Sequence, residues 1–303
     1  MQDPQPNFQP IPGQAETLAP GLRRVLAPNP SPMTFRGTNT YLLGDGDLAV
    51  IDPGPDDPNH LNALLQAIGS DRVSAILVTH AHVDHSPLAR ALAERVGAPV
   101  YAFSDAFGGR SAVMQQLAAS GLVAGGEGVD AAFKPDITLA DGDTVRGSGW
   151  SLRAIHTPGH FGNHLSFAWK DVLFCGDLVM GWASSLVSPP DGDLTDFMAS
   201  CARLRSMDWS VFHSGHGAPI HDPAARLDWL IAHRLSREAA VLQALQSGPA
   251  TSATLAAGIY TDTPPALLPA ATRNVLAHLI DMQGKNRVEP VGRLSADVQF
   301  ALT

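Results

Sequence analysis

Cysteine is scarce. Cys175 and Cys201 are the two in 303 residues, and no Cys-x-x-Cys spacing occurs, which excludes a disulfide framework and a thiolate zinc ribbon and suits a reducing cytoplasm. Positive charge is also short: 20 Lys+Arg stand against 29 Asp+Glu, a formal net charge of −9. A chain-wide electrostatic grip on nucleic acid or on an anionic membrane is therefore not expected. No apolar run approaches the ~18 residues that a membrane helix requires. The opening "MQDPQPNFQPIPGQAETLAP" lacks a basic start and an apolar stretch, so it reads as neither a secretory signal nor an anchor, and a cytoplasmic location is expected.

What is present is the composition of a globular protein, 45% hydrophobic and 16% charged, long enough for one large domain and a small one. Residues 1–32 read as a proline-rich arm, with "LRRVLAPN" pairing as a first edge strand. From "TNTYLLG" and "LAVID" onward, short β-branched runs alternate with longer amphipathic stretches, the pattern of layered α and β elements. "LNALLQAIG" and "PLARALAERVG" read as helices ended by Gly69 and Gly97. "SAILVT", "APVYAF", "SLRAIH", "HLSFAWK", "VLFCGD" and "WSVFHSGH" read as strands. A boundary falls near residue 222, giving a domain over 33–221 and another over 222–303. The tail carries seven Lys+Arg against seven Asp+Glu, so the whole net charge belongs to the remainder. Its three helical stretches and "RVEPVG" suggest a small winged-helix domain.

The chemistry-bearing letters fall just after strands, where loops present side chains at one sheet edge. "THAHVDHSPL" packs His80, His82, Asp84 and His85 into six positions. In a chain with 12 histidines, a chance His-x-His-x-Asp-His is on the order of one in a thousand. If the strand stays extended past Thr79, His80 and His82 point the same way and can bind one metal, while Asp84 and His85 can face a second point where the chain turns. Three glycine-bearing turns offer further donors: "TPGH" gives His160, "CGD" gives Asp177 and "SGHG" gives His216.

With these residues in this order, the sequence resembles the metallo-β-lactamase fold superfamily. The resemblance implies a four-layer αββα sandwich of the α/β class. It implies one metal site of His80, His82 and His160, a second of Asp84, His85 and His216, and Asp177 bridging both. "GTNTYLLG", "AVIDPG", "HTPGHFGNHLSF", "FCGDLVMG" and the tail from "WLIAHRLSRE" to "NVLAHL" are similar to the lactamase-beta-like 2 branch over residues 20 to 295. That branch couples the fold to a C-terminal winged helix and includes endoribonucleases acting on single-stranded RNA. "HSPL" departs from the glycine that much of the superfamily carries after Ser86, and leaves the ligands intact.

Two divalent ions sharing a bridging water would supply a hydroxide nucleophile, so hydrolysis of an ester-like bond is expected, with Asp84 and Asp177 as the catalytic carboxylates. Zinc is the default for these donors, and iron or manganese would accept them. The substrate stays open between a phosphodiester such as single-stranded RNA and a small thioester of the glyoxalase II kind. A mononuclear-iron persulfide dioxygenase is the alternative from another class. The tail, without a Lys/Arg run, is expected to roof the site or mediate a homodimer rather than hold duplex DNA.

Asp52 in "VIDPG" is assigned to orienting the metal loop. His164 either reaches toward substrate or satisfies its loop. Ser184 and Ser185 are candidate contacts to substrate oxygens. Cys175 reads as core, and His156, His213, His221 and His233 as structural or solvated.

Overall fold

The computed structural model describes residues 3–123 and 128–303, and among them the strands fall in three sheets. The first begins as an antiparallel meander of β1 (Ala15–Ala19), β2 (Leu22–Leu26), β3 (Asn39–Leu43) and β4 (Asp47–Ile51). The chain returns through α1 (Pro58–Ile68) to β5 (Arg72–Leu77) and through α2 (Leu88–Val96) to β6 (Val100–Ala102), each parallel to its neighbour. After α3 (Ala112–Ala119), β7 (Ile137–Thr138) completes the order β1 to β7. The helices are the crossovers that parallel pairing demands.

The arm differs from the sequence reading. "LRRVL" is β2, an inner strand, and β1 is the edge. Pro20 and Gly21, the latter at φ 72°, make a tight turn that folds residues 15–19 back onto β2 and caps it. Ahead of β1 the prolines are largely exposed, but the arm is anchored through a buried side chain. Phe8 is buried, lies 4.7 Å under the Arg24 guanidinium and stacks toward Phe35.

The second sheet is a meander of β8 (Thr144–Gly147), β9 (Trp150–His156), β10 (Leu165–Trp169) and β11 (Val172–Gly176), followed through α4 (Leu194–Arg205) by β12 (Val211–Ser214), parallel to β11. Strand periodicity sorts its apolar residues between layers. On β4, Leu48 and Val50 pack with the α1 and α2 residues Leu64, Leu92 and Ala89, while Ala49 and Ile51 face the second sheet's Leu152, Phe167 and Phe174. On that sheet's outer face, Leu173, Cys175 and Phe212 pack with Phe197 and Leu204 of α4. Helices, sheet, sheet and helices form the four αββα layers.

The C-terminal part starts with α5 (Pro223–Leu245), capped by the Asp222 carboxylate on the Ala225 N–H at 3.0 Å. β13 (Ala250–Thr251), α6 (Ser252–Ile259), α7 (Leu268–Gly284), β14 (Val288–Pro290) and β15 (Gln299–Leu302) follow, with sheet order β13-β15-β14. This is a winged helix, and it is locked to the sandwich. Leu227 and Leu230 of α5 pack beside α4, whereas Met114 and Leu117 of α3 enter the core of Val241, Leu255, Val275 and Phe300. Among the described residues no helix is long and apolar enough to cross a membrane.

Candidate metal centre

Strands β4, β5, β9, β11 and β12 all end at the same edge of the sandwich, and the segments after them carry Asp52, His80–His85, His160, Asp177 and His216. The backbone there tolerates little else. A Cβ on Gly176, at φ 46°, would lie 2.5 Å from His164 Nε2 and 2.9 Å from Thr79 Oγ1. One on Gly215 would lie 2.3 Å from Asp177 Oδ1. Glycine is what lets these turns close on the site.

The structure brings all seven expected donors together in two buried groups: His80, His82 and His160, and Asp84, His85, Asp177 and His216. His80 Nε2 and His82 Nδ1 are 2.9 Å apart, and His82 Nδ1 and His160 Nε2 3.1 Å. In the second group His216 Nε2 lies 3.1 Å from Asp84 Oδ2 and 3.2 Å from Asp177 Oδ2, and His85 Nε2 lies 3.5 Å from Asp177 Oδ1. Asp177 also faces the first group, with Oδ2 3.9 Å from His160 Nε2.

The outer ring nitrogens are committed elsewhere. His160 Nδ1 lies 2.7 Å from the Leu186 carbonyl, His216 Nδ1 3.1 Å from the Gly37 carbonyl and His85 Nδ1 2.9 Å from Asp52 Oδ2. His80 Nδ1 lies 3.0 Å from Thr79 Oγ1, whose own hydroxyl donates to Asp52 Oδ2 at 2.8 Å. Asp52 Oδ1 also accepts the Thr79 N–H at 2.7 Å. Asp52 therefore orients both halves of the loop from φ 51°, an unusual conformation that aspartate tolerates better than most residues.

This arrangement fits metal ions. With the outer nitrogens donating protons, the inner ones present lone pairs. Ligand nitrogens ~2.0–2.1 Å from a tetrahedral ion lie roughly 3.3 Å apart, close to the spacing seen here. Both Asp84 oxygens, Asp177 Oδ1 and His85 Nε2 are buried with no hydrogen-bond partner of good geometry, a cost that a cation would remove.

Titration reflects the same crowding. Burial, then its neighbours His85, His82 and His160, hold His80 well below the usual imidazole range; burial and His160 push His82 down to about 3. Burial opposes charge on His216, but Asp177 and Asp84 outweigh it and lift the ring to about 10. His85 is likewise raised, by Asp84, Asp177 and Asp52 against burial. Asp177 is held well below the carboxylate range, because His216 and His85 overcome its burial.

A cavity of about 210 Å³ opens on this floor at His82, His160 and Asp177. Its walls are mostly apolar: Met180, Trp182 and Leu186 from the loop after Asp177, and Tyr260, Leu267 and Ala271 from the C-terminal domain. Ser184 lines it, but Ser185 does not. Ser185 is fully buried and its hydroxyl donates to the Leu178 carbonyl at 2.9 Å, so it latches its loop instead of meeting substrate. His164 is fully buried as well, with Nδ1 2.9 Å from Thr157 Oγ1, its ring 5.2 Å from that of His80 and its Nε2 without a hydrogen-bond partner. His156 stacks on Phe103 at 3.9 Å, and Cys175 is core. His213 is buried beside Tyr41 and Phe174.

Sequence reasoning missed Thr79 and the Leu186 carbonyl; it expected the tail to roof the site, without naming Tyr260, Leu267 or Ala271 as the walls. Thr79 is adjacent to the motif, yet nothing in its spacing marks a relay. The buried Arg234 left a readable trace, at i+7 from Leu227 and i+4 from Leu230 on one apolar stripe of α5.

Comparison with known proteins agrees with this picture. The metallo-beta-lactamase superfamily model matches residues 33–216, and that of the beta-lactamase associated winged helix domain matches residues 251–295. The beta-lactamase-like protein 2 homolog of Drosophila melanogaster is 32% identical over 93% of this chain and 94% of its own length. An atrochrysone carboxyl ACP thioesterase of Aspergillus fumigatus is 30% identical over 77% of this chain and 68% of its own. Among solved structures, a metallo-beta-lactamase family protein of Thermus thermophilus superposes with TM-score 0.75 at 28% identity, covering 95% of this chain and 100% of that one.

Proposed function

Because the chain belongs to the metallo-β-lactamase superfamily and carries its associated winged helix, we propose that it is a metal-dependent hydrolase of an ester-like acyl bond, with thioesters the best-matched substrates. The observation that carries this reading is the mostly apolar cavity opening directly on His82, His160 and Asp177. Such a cavity suits an apolar acyl group whose carbonyl points to the floor. The thioesterase among the relatives supports the same choice.

His80, His82 and His160 would hold one divalent ion, Asp84, His85 and His216 a second, and Asp177 would serve both. Zinc is the first candidate, with iron and manganese compatible with the donors. Bound there, the ions supply an acidified water and an electrophile for the carbonyl oxygen. The chain does the rest. Asp84 and Asp177 contribute the anionic oxygens of the set, Asp52 and Thr79 fix the ring orientations of His85 and His80, and the apolar walls exclude bulk water around the bond.

The test is a panel of acyl thioesters of increasing acyl length and a single-stranded RNA, offered to protein loaded with zinc, manganese or iron. Thioester turnover whose kcat/KM climbs with acyl length until the cavity is full is the expected result. RNA cleavage without thioester turnover would replace the acyl reading with a phosphodiester one.

A further inference from the structure

Between Met180 and Val187, the loop after Asp177 takes most of its backbone anchors from the C-terminal domain, while Arg110 and Ser111 hold its far end at Asp191 and Asp193. Arg226 of α5 donates from Nε to the Met180 carbonyl at 2.7 Å and from Nη2 to the Ala183 carbonyl at 2.6 Å. Two turns further on, Arg234 Nη2 donates to the Ser185 carbonyl, and its Nη1 donates to Asn274 Oδ1 of α7 at 3.0 Å. The same Asn274 oxygen accepts the Val187 N–H at 3.0 Å. Between those two fixed peptides lies Leu186, whose carbonyl faces His160 Nδ1 at 2.7 Å.

Arg234 is fully buried among Phe197, Asn274 and the loop, with its guanidinium carbon 4.9 Å from the Phe197 ring. No carboxylate pairs with it among the described residues, and its ligands are a carbonyl and an amide oxygen. Nε is buried without a partner, so the two bonds from Nη1 and Nη2 are what offset the cost of burying the cation, and they tie the loop backbone to α7. Lysine has no planar fork to make both.

We propose that Arg234 and Asn274 are positioning residues for the metal centre: they clamp the Ser185–Val187 backbone so that the Leu186 carbonyl sets the ring orientation of His160. The C-terminal domain then belongs to the metal centre itself as well as walling the cavity. Asn274→Ala removes the acceptor shared by Val187 and Arg234, whereas Asn274→Asp keeps an acceptor at the same place.

This assignment rests on the seven residues holding metal, and one titration separates the two questions. Zinc and cobalt(II) are titrated into the full chain, wild type and variants, under equilibrium dialysis, with the cobalt d–d spectrum recorded and folding followed by circular dichroism. Asn274→Ala is expected to bind one of its two ions at least ten-fold more weakly, with an altered cobalt spectrum and the other ion unaffected. Asn274→Asp should restore tight binding of both. Arg234→Lys, which retains the charge and loses the fork, should shift the same ion in the same direction and covers the case in which Asn274→Ala fails to fold. Folded Asn274→Ala or Arg234→Lys protein with wild-type affinities and spectrum would overturn the clamp. Wild-type protein that takes up no ion would overturn the metal reading beneath it.

Discussion

Replacing Asp52 by asparagine changes one atom and should weaken both halves of the centre. The carboxylate accepts three hydrogen bonds, from Thr79 N at 2.7 Å, Thr79 Oγ1 at 2.8 Å and His85 Nδ1 at 2.9 Å, the last two on the same oxygen. An amide can satisfy the backbone donor with its oxygen, but its NH2 then faces the hydroxyl and the imidazole, both of which are donors. His85 must turn its Nδ1 into an acceptor, which moves the proton to Nε2, the nitrogen aimed at Asp84 and Asp177. The Thr79 hydroxyl, which accepts from His80, also loses the acceptor for its own proton. Hydrogen bonds to a charged partner are worth about 1.5–3 kcal/mol each. A lost outer partner typically lowers metal affinity about 10–100-fold, or ~1.4–2.7 kcal/mol. Competition with a chromophoric chelator should show both zinc affinities reduced by that amount in Asp52→Asn, while the circular dichroism spectrum stays native. Undiminished binding of both ions would refute the relay.

Other perturbations test other links. Ala271→Trp should fill the cavity, raising KM for long acyl thioesters by about ten-fold or more while leaving acetyl thioesters nearly unaffected, and equal losses on both would place the acyl group elsewhere. Gly176→Ala, which meets His164 and Thr79, should destabilise the protein by several kcal/mol, read from urea midpoints. His213 is pushed down to about 4 by burial, Arg24 and His221, and His278 to about 3 by burial and Arg234. Their folded pKa values lie below the unfolded 6.5, so the stability tied to their neutral forms is complete above pH 6.5 and is lost as pH falls through the window down to those values. His278→Leu should therefore reduce the slope of unfolding free energy between pH 6 and 4 by about 1.4 kcal/mol per pH unit, and an unchanged slope would contradict the burial argument. Removing residues 222–303 should bare Leu178, Phe197 and Met114 and cause aggregation, whereas a soluble and active remainder would deny the shared core.

The layers were legible because the two periods are clean. "DLAVI" and "HLSFAW" alternate between an outer and an inner face, and the helices between them carry their own stops at Gly69 and Gly97. The seven donors were legible because each sits at a strand end beside glycine, proline or another donor. The edge strand was misplaced because β1, "AETLA", has no apolar alternation of its own and is defined only by the Pro20–Gly21 turn. Ser185 and His164 could not be placed from sequence, since a loop residue's direction depends on what packs behind it, here the Leu178 carbonyl and the His80 ring. A roof from the tail was expected, but which residues form it was out of reach for the same reason: Met180 and Tyr260 come to line one cavity only because α5 crosses the loop.

The central claim is tested most directly by turning over an acyl thioester in ¹⁸O-labelled water with protein carrying a measured number of metal ions. Two ions per chain, one labelled oxygen in the carboxylate product, loss of turnover on chelation with recovery on re-addition, and indifference to removal of dioxygen are the results predicted. A reaction that consumes dioxygen, carries its oxygen into the product and survives Asp84→Ala would contradict the account.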